Sequence, residues 1–168
     1  MMDDREQDLR QKQAKELADL FEEMDGRRPR MFMAKIEEDD CDEERKLAAT
    51  AFADTGWDVD VGPLLSSEDS AKVAADNDVH IVVVVGSKGH LAREVPKLSQ
   101  CLISLGRDDI LIAVHGAKDE ERERLFGYGV LAVFNKDTAW SDASMTLLRL
   151  LISVARQEEE MENDPLQY

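Results

Sequence analysis

Residues 30–44 read RMFMAKIEEDDCDEE, a short apolar segment, Met31-Phe32-Met33-Ala34, that runs straight into seven carboxylates within eight residues. The apolar half reads as a buried strand. In an open α/β sheet, the loop leaving the first strand lies at the carboxyl edge, where ligands bind. Here that loop carries Cys41 in the middle of its negative charge, with no cationic residue adjoining it in sequence to activate the thiol.

Strand and helix signals alternate downstream of this stretch. A helix over 42–55 carries Leu47, Ala48, Ala51 and Phe52 inward and stops at Gly56. A second strand follows over 57–61, and Gly62-Pro63 turn the chain. Ser66, with Asp69 three residues on, marks the start of a helix reaching Asn77. Residues 79–85, VHIVVVV, form a nearly continuous apolar run, as in a parallel strand covered on both faces. Then come a helix to 105 containing Pro96, a strand over 110–114, a helix over 120–126 and a strand over 130–134. A last helix, capped by Ser141, carries Met145, Leu148, Leu151, Ile152 and Ala155, and the acidic residues after it fray into solvent.

Upstream, residues 3–24 predict a helix with Leu17, Leu20, Phe21 and Met24 at i, i+3, i+4 and i+7. A one-face stripe of this kind docks either on its own domain or on a partner, and these four residues are the candidate interaction surface. Five strands alternating with helices predict an α/β fold, a flavodoxin-like, doubly wound parallel sheet of order 2-1-3-4-5 with an extra N-terminal helix. The loops at 37–44 and 86–90 then face each other across the switch point. The expected organisation is an extension at 1–25, an α/β domain at 27–157 and an acidic tail at 158–168.

The 168 residues hold 21 Lys and Arg against 37 Asp and Glu, a net charge of −16. That balance argues against nucleic acid and anionic membranes as partners, because both would be repelled. Two cysteines without a CxxC fit free thiols in a reducing compartment. No apolar run approaches the ~20 residues of a membrane span. The expectation is a soluble intracellular protein, cytoplasmic, or of the mitochondrial matrix if a transit peptide has been removed. No P-loop, zinc spacing or Ser-His-Asp arrangement is present, so no catalytic residue is assigned.

Longer segments carry a resemblance. GRRPR (26–30), ATAFADTGWDVDVGPL (49–64), NDVHIV (77–82), GH (89–90) and LGRDDILIAVHG (105–116) resemble the C-terminal cobalamin-binding domain of methylmalonyl-CoA mutase. The likeness runs from about residue 27 to 150. It implies a base-off cobalamin site built on an Asp-x-His-x-x-Gly signature after the first strand, with the histidine ligating cobalt. In register, Asp39 stands at the aspartate, Cys41 at the cobalt-ligating histidine and Glu44 at the glycine. The implied site is thus degenerate. It comprises Asp39, Cys41, Gly86, Ser87, His90 and Gly116, with Cys41 in the metal position. After the fourth strand His115-Gly116 replaces a Gly-Gly, and after the fifth Asn135 to Thr138 replaces Gly-Pro-Gly-Thr. The family's mutases also carry a barrel domain that houses the radical chemistry, without counterpart in these residues.

Electrostatics points the same way. Cobalamin's nucleotide tail is a phosphodiester, and one like-charge pair at 4 Å costs about 4 kcal/mol at an effective dielectric near 20. The expectation is therefore a protein without a cofactor, cobalamin being the alternative. It is read as an accessory subunit that pairs with an acyl-CoA mutase or related acyl-CoA enzyme. The alternative is the cobalamin-carrying small subunit of a two-chain mutase.

Overall fold

The computed structural model describes residues 3–86 and 91–163. Helix α1 (Asp4–Asp25) precedes a regular alternation of β1 (Arg30–Lys35), α2 (Asp42–Asp54), β2 (Asp58–Leu64), α3 (Ser67–Asp76) and β3 (Ile81–Val85). It continues with α4 (Leu91–Ser104), β4 (Leu111–His115), α5 (Asp119–Gly127), β5 (Ala132–Phe134) and α6 (Trp140–Glu162). All strand pairs are parallel and their order is β2-β1-β3-β4-β5, the flavodoxin-like sheet that the alternation predicts.

Side-chain alternation along the strands divides the core into two layers. Met31, Met33, Ile81, Val83 and Ala113 face α1, α2 and α6. Phe32, Ala34, Val82, Val84, Ile112 and Val114 face α3, α4 and α5. Each fully buried Val, Ile or Met contributes roughly 1.5–3 kcal/mol, which is why the unbroken run of β3 sits at the centre of the sheet.

Several local expectations are corrected. Leu47 is 64% exposed, and the buried line of α2 is Arg45, Ala48 and Phe52, a face that includes a charge. Gly62-Pro63 do not turn the chain but lie inside β2, where Met33 pairs with Val61 and Lys35 with Leu64. The extra residue in β2 makes a bulge at a sheet edge, the one place where a strand proline loses no ladder bond. α6 begins after Ala139, which occupies the N-cap position without a side-chain cap, so Ser141 lies inside the first turn, and that helix continues through the acidic residues to Glu162. His80 precedes β3 rather than lying in it; its Nδ1 accepts from the Arg30 N–H at 3.0 Å and its Nε2 lies 2.8 Å from Asp25 Oδ2.

The N-terminal stripe is also reassigned. Ala14, Ala18 and Phe21 are buried against α6 and the core beneath it, with Leu17, Leu20 and Met24 packed partly on the same cluster. Phe21 is thus a core residue, and α1 is a layer of the domain. No helix among the described residues is long and apolar enough to cross a membrane.

Candidate functional site

The carboxyl ends of β1 and β3 bring the acidic loop and Gly86 to the same edge, as the switch point requires. Only some of the acidic residues find partners there; Glu38, Asp40, Asp42, Glu43 and Glu44 stay exposed. Asp42, Glu43 and Glu44 form the first turn of α2, where carboxylates meet the positive end of the helix dipole. Lys35 Nζ lies 3.1 Å from Asp42 Oδ1 and 3.5 Å from Glu38 Oε1. The hydrogen bond between Lys35 and Asp42 raises the pKa of the amine and lowers that of the carboxyl.

The centre of the edge is an ion pair that a hydrophobicity reading passes over. Asp39 and Arg45 have side chains only 1% and 3% exposed. Arg45 Nη1 donates to Asp39 Oδ1 at 2.9 Å, and Nη2 donates to Asp39 Oδ2 in a short contact. The same guanidinium donates to the Val85 carbonyl at 2.8 Å and to Asp42 Oδ1 at 3.0 Å. One side chain of α2 therefore ties the loop after β1 to the end of β3. Burial pushes the Asp39 carboxyl up, but hydrogen bonds from Arg45 and the Cys41 N–H outweigh it and hold the pKa below the usual carboxylate range. The available signal was spacing: Arg45 lies six residues after Asp39 and one helical turn after Asp42.

Cys41 is the N-cap residue of α2, and it is buried. Its N–H donates to Asp39 Oδ1 at 3.0 Å, so the carboxylate orders the turn that starts the helix. Cys41 shares a cleft of about 490 Å³ with Asp40, Glu44, Gly86, Gly116 and Trp140. His115 lines this cleft too, stacked on Trp140 with ring centroids 3.9 Å apart. Burial lowers the pKa of His115, whose Nε2 lies 3.2 Å from the Thr138 carbonyl and donates to it. Gly116 has φ +99°, and a Cβ there would fall 1.8 Å from the Gly86 carbonyl oxygen. The conformational freedom of Gly116 is therefore spent on close contact between the ends of β3 and β4. Ser87 and His90 lie outside the described residues. Among the described residues, no group of three His, Cys, Asp or Glu side chains is arranged to hold a metal ion.

Fold and edge define the class: an α/β domain with the fold of a cobalamin-binding protein. One solved structure it resembles is a protein of that description from Desulfitobacterium hafniense DCB-2, with TM-score 0.62 at 14% identity over 82% of this chain and 70% of that one. No protein-family model matches. Curated relatives are nearer in sequence. The chain is 45% identical over 141 residues, 82% of its length, to a probable methylmalonyl-CoA mutase large subunit of Mycobacterium tuberculosis. It is 43% identical over 131 residues, 76% of its length, to the mitochondrial methylmalonyl-CoA mutase of Pongo abelii. It spans only 19% and 17% of those two proteins. The chain is a homologue of the C-terminal cobalamin-binding domain of methylmalonyl-CoA mutase.

Proposed function

We propose that this chain is a non-catalytic member of the cobalamin-domain lineage that works as an accessory subunit, pairing with the barrel-bearing chain of an acyl-CoA mutase or a related acyl-CoA enzyme. The observation that carries the reading is the buried Asp39–Arg45 pair, with Cys41 where the resemblance expects the cobalt-ligating histidine. A metal-bound imidazole needs a carboxylate or carbonyl behind it to hold its ring and tautomer. Asp39 is the carboxylate in position to do so, and both of its oxygens are already engaged. The residues present do not fit histidine-ligated cobalamin, and no reaction step is assigned to it.

A second reading is favoured by the cleft beside the pair, bounded by Cys41, Gly86, Gly116 and Trp140. On that reading the chain is the small subunit of a two-chain mutase and carries cobalamin without a histidine ligand. The test is co-expression with a methylmalonyl-CoA mutase-type barrel chain from the same genome, followed by size-exclusion chromatography and cobalamin analysis of the complex. Co-elution of a cobalamin-free complex supports the accessory role. Cobalamin held in stoichiometric amount on this chain supports the second reading, and separate elution of the two chains removes both.

A further inference from the structure

The substitution at position 41 is the visible change, yet the geometry gives a second residue equal weight. We infer that Arg45 is a second determinant of the lost cobalt site, taking up the Asp39 carboxylate that would orient a ligand beside the cleft, so that restoring a histidine at position 41 does not restore a cobalt site. The inference deepens the accessory-subunit reading and rests on it. Arg45 lies on the buried face of α2, in line with Ala48 and Phe52. From there its guanidinium bridges Asp39 to the Val85 carbonyl, joining the loop after β1 to the end of β3 across the switch point.

Two consequences separate this arrangement from a merely substituted ligand. First, a ligand group that reaches Asp39 must displace the guanidinium. That would leave a buried carboxylate without its partner and a carbonyl without its donor, the costly way to break a buried pair. Second, a histidine at position 41 would need the Asp39 carboxylate as its orienting partner. Asp39 already accepts from Arg45 Nη1, Arg45 Nη2 and the Cys41 N–H. The backbone acceptance is compatible with an imidazole at position 41, whereas the bidentate guanidinium leaves that imidazole only one lone pair, on Oδ2, to compete for.

The experiment is a set of hydroxocobalamin titrations followed by visible absorbance, on the full chain carrying no change, Cys41→His, or Cys41→His with Arg45→Ala. The inference expects no base-off spectrum with Cys41→His alone. With both changes it expects binding at least about tenfold tighter, the usual scale on which the partners that orient a metal ligand affect metal affinity. Equal binding by Cys41→His with and without Arg45→Ala overturns it. Binding by the unaltered chain overturns the accessory reading along with it, so the two failures are distinguishable.

A stability cycle on Asp39→Asn, Arg45→Met and the double variant keeps the test decisive if Arg45→Ala does not fold. If the pair acts as one unit, the double variant melts higher than the sum of the two single losses allows. Additive losses would show that Arg45 holds nothing in common with Asp39 and would overturn the inference.

Discussion

Arg45 makes four hydrogen bonds from a site that is almost fully buried: two to Asp39, one to Asp42 and one to the Val85 carbonyl. Removing one partner of such a pair typically costs about 3–5 kcal/mol, a large share of the roughly 5–15 kcal/mol that holds a domain folded. Arg45→Met should therefore lower the Tm by roughly 10 °C, read by circular dichroism. A loss within a degree or two would mean that water reaches the pair. His115 gives a pH prediction. Its pKa is lowered in the folded chain, so below the ordinary value near 6.5 the unfolded chain takes up a proton that the folded chain refuses. The stability that neutral His115 contributes is present above that pH and is lost as pH falls toward the lowered value. His80 shifts in the same direction, burial again being the larger cause. In His115→Phe, which keeps a ring against Trp140, the decline in Tm from pH 7 to pH 5.5 should be shallower than in the unaltered chain. Parallel slopes would refute the assignment.

At the scale of elements, α1 and α6 decide whether the first helix is an appendage. Ala14, Ala18 and Phe21 are buried, and Arg10 forms an ion pair with Asp142 near the start of α6. The Arg28 guanidinium, just past α1, donates to the Gly56 carbonyl at 2.7 Å, and a Cβ on Gly56 would lie 2.5 Å from Ala18 Cβ. Deleting residues 1–25 should therefore expose core, lower the Tm and raise binding of a hydrophobic dye. An undiminished Tm would make α1 a docking arm after all. The periodicity of Leu17, Leu20, Phe21 and Met24 made the helix legible, but which surface it covers depends on residues far along the chain. The turn reading at Gly62-Pro63 failed for a related reason, since the same dipeptide serves a bulge when the strand is at an edge. Strand order was legible because β3 is apolar on both faces and only the centre of the sheet covers both. Arg45 was not legible as a site residue. A buried charge interrupts the hydrophobic pattern, and its meaning appears only when Asp39 and Val85 are seen beside it.

For the whole molecule, the net charge of −16 is concentrated in part at the ligand edge, where only some carboxylates have a cationic partner. Lys35 answers Glu38 and Asp42, Arg45 answers Asp39, and the α2 dipole meets the first-turn carboxylates. The edge stays net negative, and a phosphodiester would meet the exposed Asp40, Glu43 and Glu44. This homologue of a cobalamin-binding domain commits Asp39, beside its switch-point cleft, to its own Arg45 rather than to a cobalt ligand. The most direct measurement is a titration of the unaltered full chain with adenosylcobalamin and hydroxocobalamin, followed by visible absorbance and calorimetry. Neither a spectral change nor a heat of binding is expected up to high micromolar cobalamin. A base-off spectrum with micromolar affinity would contradict it.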